Sequence, residues 1–129
     1  MMFADPVSLK STVDSLRSGE KDIATYVNRA CDRVEEIDPD IEAMLPEPGR
    51  RAHLLREAET LQKRFPVPEK RPPLYGALVA VKDIFHVSGF VTRAGSAVPP
   101  ELIAGDEAAC VTLLRAAGAL VLGKSVTTE

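Results

Sequence analysis

The chain has 129 residues, 45% of them apolar and 27% charged, with 16 Lys and Arg against 19 Asp and Glu for a net charge of −3. This is the size and balance of one soluble globular domain or a piece of a larger one, and it lacks the basic footprint that nucleic acid binding requires. No run reaches the length of a membrane-spanning helix, and Met1 to Pro6 carries neither the basic nor the apolar stretch of a secretory leader.

The charges are unevenly spread: residues 1–71 hold 26 of the 35 charged side chains. The predicted organisation follows from this. Residues 1–71 form a helical N-terminal segment, and residues 72–129 begin an α/β core. The boundary falls in the breaker-rich stretch Pro66, Pro68, Pro72, Pro73 and Gly76. In chain order, Leu9, Val13 and Leu16 stripe a short helix over about 8–17, stopped by Ser18-Gly19. Ile23, Tyr26, Val27, Ala30, Val34 and Ile37 stripe a second, closed by Asp38-Pro39. Leu54, Ala58, Leu61 and Phe65 mark a third, from Gly49-Arg50 to Pro66. Leu78 to Lys82 reads as a strand by length and β-branched content. Asp106 to Ala117 reads as a helix with Asp106 as N-cap and Gly118 as its stop, and Leu120-Val121-Leu122 as a second buried strand. Strand, irregular loop, helix, strand is a crossover unit, so the fold class is α/β: a helical lead-in followed by the first strands of a mixed sheet.

Gly118 to Ser125 matches G-x-x-x-x-G-K-[ST], the phosphate-binding loop. Physics argues against it. That loop needs a strand before its first glycine and a helix after its Lys-Ser. Here a helix precedes Gly118 and strand formers fill the middle, and a strand cannot curl its amides around a phosphate.

Lys82 closes an apolar strand and precedes Asp83. One reading is a strand-end lysine that snorkels to water and pairs with Asp83. The other is a desolvated lysine: burial disfavours the ammonium and leaves a neutral amine able to take a proton and activate a hydroxyl nucleophile. Composition and spacing leave both open.

Pro73-Leu74-Tyr75-Gly76, Val81-Lys82-Asp83, Thr92-Arg93-Ala94-Gly95-Ser96, Asp106-Glu107-Ala108, Leu114 to Ala119, Leu122-Gly123-Lys124-Ser125 and Thr128-Glu129 occur in that order. In these blocks the chain resembles the amidase signature family, closely over about residues 73–129 and loosely over the helical lead-in. The resemblance implies a mixed sheet wrapped by helices. It implies hydrolysis of a carboxamide C–N bond by a serine, cis-serine, lysine triad in which Lys82 matches the catalytic lysine. It also implies a small-molecule amide substrate, with no metal or organic cofactor. A homo-oligomer is compatible with it. Both family serines would lie beyond Glu129, and none of Ser88, Ser96 and Ser125 stands in the Gly/Ser-rich context that carries the nucleophile. The chain is therefore expected to be the front end of a longer amidase. A variant within the family is the amidotransferase component that amidates glutamyl-tRNA. A reading of a different class is a non-catalytic fragment, and the fragment alone is expected to hydrolyse nothing.

Other residues receive plainer readings. Gly95 and Ser96 are candidates for lining the substrate site, though a turn role fits Ser96 equally. Asp83 is expected to orient Lys82 or cap a turn, and Arg93 to be a solvated loop charge. His53 and His86 have no zinc spacing and read as structural. Cys31 and Cys110 show no C-x-x-C pattern, read as buried small hydrophobes and suit a reducing, cytoplasmic compartment.

Overall fold

The computed structural model describes residues 6–128; Met1 to Asp5 and Glu129, used above for the leader and for the end of the resemblance, lie outside them. The order is α1 (Leu9–Ser18), α2 (Ile23–Ile41), α3 (Arg50–Arg64), β1 (Leu78–Lys82), α4 (Ala109–Ala116) and β2 (Leu120–Ser125), with single 3-10 turns at Pro68–Lys70 and Pro100–Leu102.

Local chemistry sets most of these bounds. The Ser8 hydroxyl accepts from the Ser11 amide and opens α1, and Gly19 closes it with left-handed backbone. The Asp22 carboxylate accepts from both the amide and the hydroxyl of Thr25 at the start of α2. The predicted stop at Asp38-Pro39 is overrun, because α2 continues to Ile41 with Pro39 inside it. Asp38 ends the helix in another way. Its carbonyl accepts from Glu42 N, and its carboxylate accepts from the amides of Ala43 and Met44. The last turn thus regains partners for groups that a proline would otherwise strand.

α2 and α3 pack as a pair. Arg51 on α3 reaches Asp32, Glu35 and the Asn28 carbonyl on α2. Beneath them lies the main apolar cluster: Leu16, Ile23, Val27, Cys31, Leu54, Ala58, Leu61, Tyr75 and Leu120. It mixes residues from both sides of position 72. Arg71 strengthens the seam by donating to the carbonyls of Leu16, Arg17 and Phe65 while its guanidinium lies 4.6 Å over the Tyr75 ring.

β1 and β2 are parallel neighbours joined through α4, the predicted crossover. The register shifts between Val79 and Ala80 and then places Lys82 beside Ser125. At the end of β2 an antiparallel bridge joins Met44 to Ser125. Val81, Val121, Val87 and Val111 form a second cluster between the sheet and α4. At the α4–β2 corner Gly118 has φ +99°, and a Cβ there would lie 2.7 Å from Pro72 Cγ and 2.9 Å from Tyr75 Cα. Only glycine fits so tight a corner.

α4 begins three residues later than predicted, and Asp106 is exposed rather than its cap. Ala108 stands at the cap position without a side-chain bond, and Glu107 tethers the helix laterally: its carboxylate accepts from Thr112 Oγ1 at 2.7 Å and from Ser88 N at 3.2 Å, and lies 3.3 Å from Arg115 Nε. Cys110 is exposed, contrary to the expectation of burial, since α4 turns Val111 inward and Cys110 one step off that face; Cys31 is buried as expected. Among the described residues no helix is long and apolar enough to cross a membrane.

Candidate active site

Parallel strands in open α/β sheets present their carboxyl ends to ligands. Here those ends are Lys82 and Ser125, side by side. Within the described residues the Lys82 side chain meets water. It is exposed, as is Ala80 on the same face of β1, because the described residues cover that face at Leu78 and leave its carboxyl end open.

The buried lysine is Lys124, one strand over. Its side chain is 3% exposed and that of Asp83 is 2% exposed, and the amine donates to Asp83 Oδ1 at 2.6 Å. Strand alternation explains the partition: Lys82 points to one face, so Asp83 points to the other. There Asp83 neither pairs with Lys82 nor caps an isolated turn. Its Oδ2 accepts from Arg93 N at 3.1 Å, its carbonyl accepts from Ala94 N at 2.9 Å, and its own amide donates to Ser125 O at 3.0 Å. Asp83 therefore closes the loop 83–94 and docks it on β2.

The same knot draws in two further residues. The Lys124 amine lies 3.4 Å from Thr92 Oγ1, and that hydroxyl stands 3.0 Å from His86 Nδ1. His86 also accepts through its carbonyl from Ala108 N, linking the loop to the start of α4. A cavity of about 430 Å³ opens beside Lys124, between Leu45, Glu47, Phe90 and Arg93. Another of about 380 Å³ lies between α3 and β2, lined by His53, Arg56, Arg64 and Arg115. None of Lys82, Asp83, Thr92 and His86 lines it.

The remaining candidates divide. Ser96 plays the turn role: its hydroxyl accepts from Val98 N, and its amide donates to the Arg93 carbonyl. Gly95, with φ +65°, packs against Thr127, where a Cβ would stand 3.0 Å from the Thr127 carbonyl oxygen. Arg93 is exposed, as expected. His53 sits half-buried between Glu47 and Glu57 and meets the Phe90 ring edge-on at 6.2 Å. The described residues contain no cluster of His, Cys, Asp and Glu able to hold a metal. Gly123 and Lys124 lie within β2, which removes the phosphate-loop geometry.

Sequence reading missed Lys124, and a signal was there. A lysine inside a strand that is otherwise Leu-Val-Leu-Gly demands a buried counter-charge. Asp83, at the matching end of the partner strand, is the acid in reach.

Comparison with known proteins fits this arrangement. The amidase family profile matches residues 25–129. Over 118 residues the chain is 32% identical to a glutamyl-tRNA(Gln) amidotransferase subunit of Oleidesulfovibrio alaskensis, covering 92% of this chain and 23% of that one. It is 31% identical over 137 residues to fatty-acid amide hydrolase 2-A of Danio rerio, covering 98% of this chain and 25% of that one. The native peptide amidase of Stenotrophomonas maltophilia superposes with a TM-score of 0.76 at 28% identity, over 92% of this chain and 24% of that structure. The chain thus spans about a quarter of the length of these relatives. With a profile match over most of its residues and an α/β crossover shared with solved amidases, the chain belongs to the amidase family.

Proposed function

We propose that this chain is the N-terminal part of an amidase that hydrolyses a carboxamide C–N bond, with Lys82 as the lysine of a serine, cis-serine, lysine triad. The observation that carries the reading is positional. In a chain of the amidase family, Lys82 ends β1 at the carboxyl edge of the parallel pair, with its amine open to groups arriving from outside the described residues. The two hydroxyls come from the part of the family's length that this chain does not span.

The chemistry requires the Lys82 amine in its base form, which cover by groups from outside the described residues would favour by desolvation. Lys82 takes a proton from the bridging serine, which takes one from the nucleophilic serine as that oxygen attacks the amide carbonyl. Backbone amides beside the nucleophile hold the developing oxyanion. The amine leaves with a proton returned along the same path, and water then releases the carboxylate from the acyl-enzyme. The Asp83 carboxylate, engaged with Lys124, leaves the Lys82 amine free for this exchange. The substrate is a small carboxamide, and the protein works in the cytoplasm.

A second reading rests on a specific likeness. One relative at 32% identity is an amidotransferase component. In that reading the same triad releases ammonia from an amide donor for transfer to glutamyl-tRNA, and the protein acts with partner proteins. Ammonia release from a panel of primary carboxamides by the full gene product tests the two together. Turnover of simple amides without partners supports the hydrolase. Release that appears only with the partner proteins and glutamyl-tRNA supports the amidotransferase. No release in either setting leaves the non-catalytic fragment as the reading.

A further inference from the structure

We infer that Lys124 and Asp83 form a positioning pair, with Thr92 as its third member, that fixes where the Lys82 amine stands; this rests on the proposed role of Lys82.

The knot sits at one place, immediately behind Lys82. Residue 83 is tied four ways: to Ser125 through its amide, to Ala94 through its carbonyl, and to Arg93 and Lys124 through its carboxylate. A strand end with no neighbour on its outer edge frays readily. β1 has β2 on one side and, among the described residues, no strand on the other. The anchor on the next residue holds the last strand residue in register, and Lys124 supplies the strongest part of that anchor.

The ion pair also settles a competition. The carboxylate adjacent in sequence to Lys82 is the nearest natural partner for its ammonium. Held on the opposite face by Lys124, it does not reach across to Lys82. Lys124 has no such freedom: it is buried and held by Asp83 and Thr92. It therefore acts through the placement of Lys82 and not as a catalytic residue itself. Simple stability does not explain the choice of charges, because a buried ion pair contributes no more than well-packed apolar residues of the same size. Thr92 extends the pair to the loop, bridging the Lys124 amine to the His86 ring.

The test uses the full gene product turning over a primary carboxamide, with rates expressed per natively folded molecule, counted from the cooperative melting enthalpy of each variant, so that misfolded molecules do not enter. Lys124→Met is expected to lower kcat by about 10- to 100-fold with KM changed less than about threefold, since displacements near 1 Å carry penalties of that order. Lys124→Arg is expected to recover part of the loss. Thr92→Val leaves the ion pair in place, covers the case in which Lys124→Met does not fold, and is expected to lower kcat by about 3- to 10-fold in the same pattern. The decisive arm is the Lys82→Ala background, where Lys124→Met or Thr92→Val is expected to add no further loss, because residues that act as a unit are not additive. Wild-type kcat per folded molecule in both variants, or losses that persist undiminished without Lys82, would overturn the positioning role while the proposed function stands. Wild-type turnover by Lys82→Ala would overturn the proposed function, and this inference with it.

Discussion

Lys124 and Asp83 lie out of water at 2.6 Å, so each charge depends on the other. Removing one partner strands a buried charge, and such losses run to about 3–5 kcal/mol. Lys124→Met is expected to lower unfolding stability by that amount in urea titration, and Lys124→Met combined with Asp83→Leu to recover much of it. A single variant as stable as wild type would show that the pair is not buried as described. Tyr75 behaves oppositely. It is 1% exposed, yet among the described residues no group accepts from its hydroxyl. Burial pushes its phenol up, against the lowering effect of Arg71. Tyr75→Phe deletes an unpaired buried donor and is expected to be neutral or to stabilise by about 1 kcal/mol, read as a shift in the urea midpoint. At this scale the sequence singled out Lys82 but did not indicate its exposure at the end of β1. Lys124 was hidden because its motif drew attention to phosphate instead of to the partner strand.

Elements were more legible than residues wherever their ends are set locally. β1 and α3 lie as their patterns indicate, bounded by glycine and proline. α4 was misjudged at its start because its tether is not local. Glu107 is pinned by Ser88, which lies 19 residues back, and no spacing rule reports that contact. That tether makes α4 acid-sensitive. Partial burial raises the Glu107 carboxyl, but the hydrogen bonds from Thr112 and Ser88 and the nearby Arg115 outweigh it and hold the group below its ordinary 4.5. A depressed folded value gives stability that is present above the unfolded value and lost as pH falls through the folded one. The melting temperature of the wild type is therefore expected to exceed that of Glu107→Gln at neutral pH. The gap should narrow below about pH 4.5. A gap that stays constant with pH would contradict the assignment. Pro39 teaches the same lesson at the other end of the chain, since Asp38 collects the backbone donors that follow it and lets α2 run on.

The molecule as a whole is lopsided. Ile84, Phe85, Val91, Val98, Leu102, Leu113 and Val126 are exposed, with Leu102 at 73% and Leu113 at 71%, and β1 keeps an unpaired edge among the described residues. Exposed apolar surface beside an open strand edge invites association. The 129-residue chain alone is expected to self-associate with rising concentration in light scattering coupled to size exclusion. A monodisperse monomer with one sharp melt would show that its surface is complete. The helical half was readable because its apolar stripes are periodic in the sequence, although they pack on Tyr75 and Leu120 as well as on one another. The sheet half was readable as strands, but its cover was not, since two strands do not specify their neighbours. The central claim remains the amine at the end of β1, and its most direct measurement is primary carboxamide turnover by the full gene product with Lys82 intact and as Lys82→Ala. Loss of an activating base predicts a fall in kcat/KM of about a hundredfold or more. Equal turnover in the two proteins would contradict it.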